Sequence, residues 1–212
     1  MCNLYRMDNG AAELAKMFGP FAHTLPNLPA YPAIYLDREA PIIRRTEAGE
    51  RLLDKVIWGV PPPAAGTRPV TNVRNLVSPF WRAMLANPAQ RCLVPVGAFC
   101  EWTGTLGAKR KVWFRRTDTE LFAFAGVWQQ TAEGPRMAFL TCEPNSLVAP
   151  IHPKAMPVIL REEDYCTWLS GETSKAVSLA KPFDADRMAL VVDCYPTKSG
   201  PLSSKPAAGR LR

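Results

Sequence analysis

The chain has 212 residues, of which 47% are hydrophobic and 21% charged, as is typical of globular proteins, so a disordered or fibrous chain is excluded. This length suffices for one well-buried core and is short for two. Lys and Arg (26) outnumber Asp and Glu (19), giving a net charge of +7, which fits either polyanion binding or a basic solvated surface.

No stretch reaches the ~20 apolar residues that cross a bilayer, and no N-terminal signal peptide is recognisable. The six cysteines show neither a C-x-x-C motif nor a paired zinc-ribbon spacing. We therefore expect a cytoplasmic protein with free thiols and without a metal or cofactor. The cysteines are Cys2, Cys92, Cys100, Cys142, Cys166 and Cys194.

The first half of the chain predicts two helices and a hairpin. Ala11 to Phe18 has helical composition and is followed by the stop signal Gly19-Pro20. A proline-rich loop follows, containing Pro20, Pro26, Pro29 and Pro32. Pro41 to Arg45 and Arg51 to Trp58 read as two strands of a hairpin. Ser78-Pro79 begins the second helix, which Asn87-Pro88 ends.

The second half predicts mainly strands. Their spacing indicates an antiparallel sheet or a closed barrel, and not a doubly wound α/β fold. The predicted strands are Cys92 to Val94, Ala98 to Trp102, Lys111 to Arg115, Leu121 to Trp128, Met137 to Cys142 and Met188 to Val192. Short helices are expected over Glu162 to Leu169 and Glu172 to Ala180. The Pro-, Ser- and Lys-rich tail, residues 196–212, is expected to be poorly ordered.

Cys2 is the residue on which the other candidates depend. Removal of Met1 would leave one residue with both a free α-amine and a thiol. Their ordinary pKa values, near 8 and about 8.5, leave part of each unprotonated at neutral pH. Such a 1,2-aminothiol forms a Schiff base with an aldehyde, and the thiol then closes a thiazolidine ring. The commoner role of a cysteine is that of a small, partly buried hydrophobe, and this role also fits.

Glu101 lies in the otherwise apolar segment Gly97 to Trp102. Partial desolvation there would raise the pKa of its carboxyl toward the range useful in general acid-base catalysis. Alternation along the strand instead favours the solvent-facing side. His152 lies in a loop restricted by Pro150 and Pro153, which fits either a catalytic imidazole or a packing group.

Asn72 and Arg74 would share one face of an extended segment, where they could orient a polar substrate and hold an anion. An ordinary polar loop is the alternative. Trp58 and Trp102 could stack on unpaired bases, although most tryptophans in a chain of this size belong to the core.

Five stretches occur in a telling order: Met1-Cys2, Trp58-Gly59-Val60-Pro61, Asn72-Val73-Arg74, Arg91 to Pro95 running to Glu101-Trp102, and Ile151-His152 with Met156-Pro157. Together they resemble the SOS response-associated peptidase (SRAP) family. The similarity extends from Met1 to about Leu160, with a looser match near Trp168-Leu169. It implies one α+β domain, residues 1–195, with an antiparallel β-barrel-like core and short peripheral helices.

The resemblance also implies a DNA-damage function. The protein would bind single-stranded DNA and cross-link to abasic sites through Cys2, after peptidase-type removal of Met1, and so shield the lesion. Asn72 would position the amine and the opened sugar. Glu101 would move protons during sugar opening, the lyase-like Schiff-base chemistry and the removal of Met1, and His152 would act beside it on the sugar hydroxyls or phosphate.

For DNA binding, the resemblance implies that Arg74 holds a phosphate and that Trp58 lies against bases next to the lesion, with Trp102 as a further candidate contact. Members of the family commonly begin Met-Cys-Gly-Arg, whereas this chain has Asn3-Leu4. Arg6 and Arg68 are therefore candidates for the missing phosphate contact.

The expected partner is single-stranded DNA containing an abasic site. We expect the protein to be a monomer and not to associate with a membrane. Two other functions remain open. A thiol peptidase would use Cys2 as nucleophile and His152 as base, with Glu101 in support. A non-covalent nucleic-acid binding module would instead show salt-sensitive binding that does not depend on Cys2.

Overall fold

The computed structural model describes residues 2–23, 25, 28–46, 48–63, 66–105 and 108–191. The predicted tail, residues 196–212, lies outside these ranges. Within them the strands are β1 (Leu4–Met7), β2 (Tyr31–Tyr35), β3 (Glu39–Arg45), β4 (Arg51–Trp58), β5 (Asn72–Val73), β6 (Arg91–Val96), β7 (Ala98–Thr103), β8 (Arg110–Arg116), β9 (Phe122–Thr131), β10 (Gly134–Cys142), β11 (Met156–Pro157), β12 (Ile159–Leu160) and β13 (Met188–Val191). The α-helices are α1 (Ala11–Phe18), α2 (Pro79–Ala86), α3 (Tyr165–Ser170) and α4 (Thr173–Val177), and short 3-10 helices cover Pro88–Gln90, Glu162–Asp164 and Ala185–Arg187. No helix among the described residues has the length and apolar composition needed to traverse a bilayer.

Five strands close into a barrel in the ring order β10, β4, β3, β6, β9 and back to β10. Neighbours in this ring are antiparallel except β4 and β10, which run parallel where Trp58 lies opposite Met137. The short strand β5 pairs in parallel with β10, beyond the point where β4 ends, with Asn72 opposite Phe139. The α+β fold with a barrel-like core, expected from the resemblance, is confirmed.

A second sheet, in the order β13, β8, β7, β1 and β2, packs against this barrel. Aromatic rings join the two layers: Phe99 of β7 lies 5.8 Å from Phe124 of β9, and Tyr5 of β1 lies 5.2 Å from Trp58 of β4, measured between ring centroids. Part of the core therefore lies between barrel and sheet, and buried residues of the four helices extend it. Because β1 is an inner strand of this sheet, the N-terminal residues begin next to the core.

Most predicted elements are present with slightly different ends. The helix Ala11–Phe18 and the hairpin of β3 and β4 are confirmed. The predicted strand Met188 to Val192 is β13, of which residue 192 lies outside the described ranges. The loop predicted around Pro32 is wrong, because Tyr31–Tyr35 forms β2. This strand lies at the end of its sheet, where a proline costs no interstrand hydrogen bond.

Candidate active site

The loop between β4 and β5 determines the position of Asn72. It leaves the edge of β10 after Trp58 and returns to the same edge at Asn72. At its start, Gly59 has a φ of 118°, and a Cβ atom there would lie 2.9 Å from Leu36 and 3.0 Å from Pro69, so only glycine fits without strain. The indole Nε1 of Trp58 donates a hydrogen bond to the Thr71 carbonyl at 3.1 Å, which ties the two ends of the loop together.

Cys2 precedes the first residue of β1 and is buried, with 1% of its surface exposed. Its Sγ donates to the carbonyl of Leu4 at 3.3 Å and lies 3.7 Å from that of Cys100 on β7. Burial, reinforced by the negative charge of Glu101, raises the pKa of the Cys2 thiol well above its ordinary value. The sulfur is therefore a neutral thiol at physiological pH.

Asn72 contacts Cys2 directly. Its Nδ2 donates to the Cys2 carbonyl at 3.4 Å and to the Thr71 Oγ1 at 2.7 Å. Its Oδ1 is buried and has no hydrogen-bond partner among the described residues. The amide thus holds the main chain of Cys2 on one side and keeps an unused acceptor on the other.

Glu101 is the buried carboxylic acid of the site, with 2% of its surface exposed. Its Oε1 has no hydrogen-bond partner in the described part of the chain. Burial raises the pKa of its carboxyl to about 7, against an opposing effect of the positively charged amino terminus. A group with this pKa can both donate and accept a proton near neutral pH.

The solvent-facing side that alternation favoured for Glu101 is therefore wrong. Glu101 shares the inward face of β7 with Phe99, and Trp102 is the residue that faces solvent. Cys100, on the outer face, is also buried. With both faces covered, the pattern of apolar residues could not indicate which way the carboxylate points.

His152 lies in the loop between β10 and β11, as predicted. β11 pairs with β10 at Cys142 and Met156, and the Nδ1 of His152 lies 2.8 Å from the carbonyl of Ala155, just before β11. Burial, together with the positively charged amino terminus, lowers the pKa of His152, so the imidazole is neutral at pH 7. A neutral imidazole can accept a proton.

The sequence model of the SOS response associated peptidase (SRAP) family matches residues 1–195. The chain belongs to the SRAP family. This match spans all the described residues, including Cys2, Asn72, Glu101 and His152. The family is associated with the SOS response.

Solved structures with the SRAP chain's fold include a protein from Bordetella bronchiseptica, with a TM-score of 0.74 and 24% identity, covering 89% of this chain and 98% of that one. A protein from Bacteroides thetaiotaomicron has a TM-score of 0.76 and 23% identity, with coverages of 89% and 90%. A phage-related protein from Bordetella bronchiseptica has a TM-score of 0.72 and 17% identity, with coverages of 90% and 93%. Comparison with curated proteins gave no match.

The expected DNA-contacting residues of this SRAP protein lie in different environments. Arg74 is exposed beside the site and forms an ion pair with Glu143. Trp102 is 39% exposed, and the Lys111 ammonium lies 5.6 Å from the centroid of its ring. Arg68 is exposed in the loop after β4. These three side chains are accessible to a nucleic acid.

Two other residues expected to contact DNA, Trp58 and Arg6, are less well placed to do so. Trp58 is fully buried and stacks on Phe139, so its expected place against bases is wrong: the core would have to open for a base to reach it. Arg6 lies over the ring of Trp113 and 3.7 Å from Asp8. It is four residues, about 13 Å of strand, from Cys2.

Sequence reasoning missed Thr71, whose hydroxyl contacts the Asn72 amide. The only sequence signal was its position next to Asn72, and many threonines precede a polar residue without contacting it. The described residues contain no group of three His, Cys, Asp or Glu side chains arranged to hold a metal ion. Their cysteines are free thiols, of which Cys166 is exposed, while Cys194 lies outside the described residues.

Proposed function

We propose that this protein senses abasic sites in single-stranded DNA and shields them through a covalent thiazolidine cross-link to Cys2. Hydrolysis of the bond between Met1 and Cys2 consumes one water and frees the α-amine. The amine adds to the aldehyde carbon of the opened abasic sugar, and the resulting carbinolamine takes one proton from the Glu101 carboxyl and loses one water to give an iminium ion. The Cys2 thiol then adds to the same carbon and releases its proton, which closes the five-membered ring.

The observation that carries this proposal is the buried carboxyl of Glu101 beside Cys2. An abasic sugar is mostly a closed hemiacetal, so a proton must be moved before any aldehyde is available. The same holds for the loss of water that forms the iminium. A carboxyl with a pKa of about 7 and an unpaired Oε1 suits both steps, since it exists in both protonation states at neutral pH.

The other side chains of the site have supporting roles. Asn72 holds the main chain of Cys2 and offers Oδ1 to the amine. Neutral His152 accepts a proton from a sugar hydroxyl or from water. Arg74, with Arg68 and Arg6 as further candidates, binds phosphate, and Trp102 stacks on a base beside the lesion.

The raised thiol pKa of Cys2 argues against a general thiol peptidase. Such enzymes attack with a thiolate, which needs a depressed pKa, whereas burial and Glu101 act in the opposite direction here. Cross-linking requires a less nucleophilic sulfur than peptide cleavage does, because the amine attacks first and the thiol adds only to a highly electrophilic iminium. We therefore limit the peptidase activity to removal of Met1 from the protein's own chain.

The test combines a denaturing gel with intact-mass measurement of the protein and a single-stranded oligonucleotide that carries one abasic site. We expect a band that survives denaturation, with the mass of the protein without Met1 plus DNA minus one water. Cys2→Ala should give no such band. Cys2→Ser should give no durable adduct, because the serine hydroxyl is a poorer nucleophile than the thiol for closing the ring.

Cys166→Ala is the matched control, since it removes the exposed thiol among the described cysteines and should leave the adduct unchanged. Absence of the adduct from a protein whose loss of Met1 is verified by mass would refute the proposal. Salt-sensitive binding without an adduct would then favour a binding module, and cleavage of unrelated peptides would favour the peptidase.

A further inference from the structure

The orientation of the Asn72 amide follows from its two contacts. The Cys2 carbonyl can only accept a hydrogen bond, so the amide must present Nδ2 to it and not Oδ1. That contact is long, at 3.4 Å, whereas the contact to the Thr71 Oγ1 is 2.7 Å. The hydroxyl of Thr71 is therefore the stronger of the two restraints.

Thr71 is itself held independently of Asn72. Its carbonyl accepts hydrogen bonds from the Trp58 Nε1 at 3.1 Å and from the Phe139 main-chain N–H at 3.4 Å. Both bonds involve only its main chain. Thr71 is buried immediately before β5, so its hydroxyl has a fixed location against which the amide can rest.

With Nδ2 held in this way, the amide keeps Oδ1 buried without a donor among the described residues. Native proteins seldom leave a buried acceptor unpaired, and a catalytic role is one of the explanations for such a group. The α-amine of Cys2, freed by loss of Met1, is a hydrogen-bond donor on the residue that Asn72 already contacts. Its lone pair is correctly directed only if its N–H groups are restrained.

We propose that Thr71 is a positioning residue, which fixes the Asn72 amide so that Oδ1 receives an N–H of the Cys2 amine and aims the amine lone pair at the sugar aldehyde. This inference rests on the proposed cross-linking function. Thr71 itself touches neither the sugar nor the thiol. Without its hydroxyl the amide keeps only the long contact to Cys2 and can rotate.

The test compares three variants. Thr71→Val has the same shape without the hydroxyl, and Thr71→Ser keeps the hydroxyl. Thr131→Val is the matched control, because it removes a threonine hydroxyl with an equally short hydrogen bond, 2.7 Å to the Gly134 carbonyl, in the remote hairpin of β9 and β10. Single-turnover rates of adduct formation at saturating abasic DNA are measured beside the Kd for the unmodified oligonucleotide.

We expect Thr71→Val to slow adduct formation about tenfold, the effect of losing roughly one hydrogen bond, without a change in Kd. Thr71→Ser should remain within about twofold of the original rate, and Thr131→Val should not differ from it. In NMR spectra, the side-chain NH₂ signals of Asn72 should shift in Thr71→Val and be restored in Thr71→Ser.

Equal rates and unmoved Asn72 signals in Thr71→Val would overturn the inference, as would equal slowing by Thr71→Val and Thr131→Val. Failure of the unsubstituted protein to form any adduct would instead refute the proposed function. In that case the NMR signals still decide whether Thr71 fixes the amide.

Discussion

Replacing Glu101 by Gln should stabilise the folded protein above neutral pH while it removes the proposed cross-linking activity. The Glu101 carboxyl is buried, and its pKa rises from 4.5 to about 7 on folding. At about 1.36 kcal/mol per pKa unit, this difference corresponds to about 3 kcal/mol. Glu101→Gln keeps the shape of the side chain and cannot ionise.

The direction of the effect follows from proton binding. Below pH 4.5 the carboxyl is protonated in both states, and its contribution to the stability of the folded protein is fully present. As pH rises toward about 7, the unfolded chain loses this proton while the folded one retains it, so stability falls. Above that pH the loss is complete. The pKa of His152 is lowered, so its contribution to stability rises with pH. This contribution is the same in the original protein and in Glu101→Gln, and it cancels when their free energies of unfolding are subtracted.

The assay is urea unfolding from pH 4.5 to pH 8.5 of the original protein and Glu101→Gln, with matched N-termini verified by mass. The free energies of unfolding should converge at the acid end, and the variant should be about 1–3 kcal/mol more stable at the alkaline end. Glu50→Gln, which changes an exposed carboxylate, should run parallel to the original protein. A parallel profile for Glu101→Gln as well would refute the reasoning.

Three further predictions concern residues around the site. Trp58→Ala should lower the free energy of unfolding by about 3–5 kcal/mol in chemical denaturation, because the whole ring is buried; a loss below 1 kcal/mol would contradict this packing. Trp102→Ala should leave stability nearly unchanged but weaken single-stranded DNA binding by about 1–3 kcal/mol in fluorescence anisotropy. Glu143→Gln should free Arg74 and tighten DNA binding at low salt, whereas Arg74→Ala should weaken it and flatten the salt dependence; equal affinities would show that Arg74 does not contact phosphate.

Local sequence signals predicted the local elements well. The helix Ala11–Phe18, the hairpin of β3 and β4 and the helix that begins at Pro79 each depend on residues close together in the chain. Caps, prolines and alternation act over such short distances, so a single sequence reveals them. The strand Tyr31–Tyr35 was missed because Pro32 is tolerated only at a sheet edge, and a strand's place in a sheet is a property of the whole fold.

The candidate residues were also readable from the sequence, because Cys2, Asn72, Glu101 and His152 lie in the motifs that resemble the SRAP family. Their chemical types and order identify the family. The motifs do not reveal the environment of each residue. Trp58 shows this limit, since its motif suggested a base-stacking surface and the fold buries the ring against Phe139.

The sequence by itself therefore determined the family, the short elements and the candidate side chains. Only the tertiary structure decided that Glu101 faces inward with a raised pKa and that the Asn72 amide donates a hydrogen bond to the carbonyl of Cys2, 70 residues away in the chain. It also decided that β10 receives both β4 and β5 on one edge. Burial and long-range contacts depend on how the barrel closes and how the second sheet covers it, and no local pattern of residues encodes that closure.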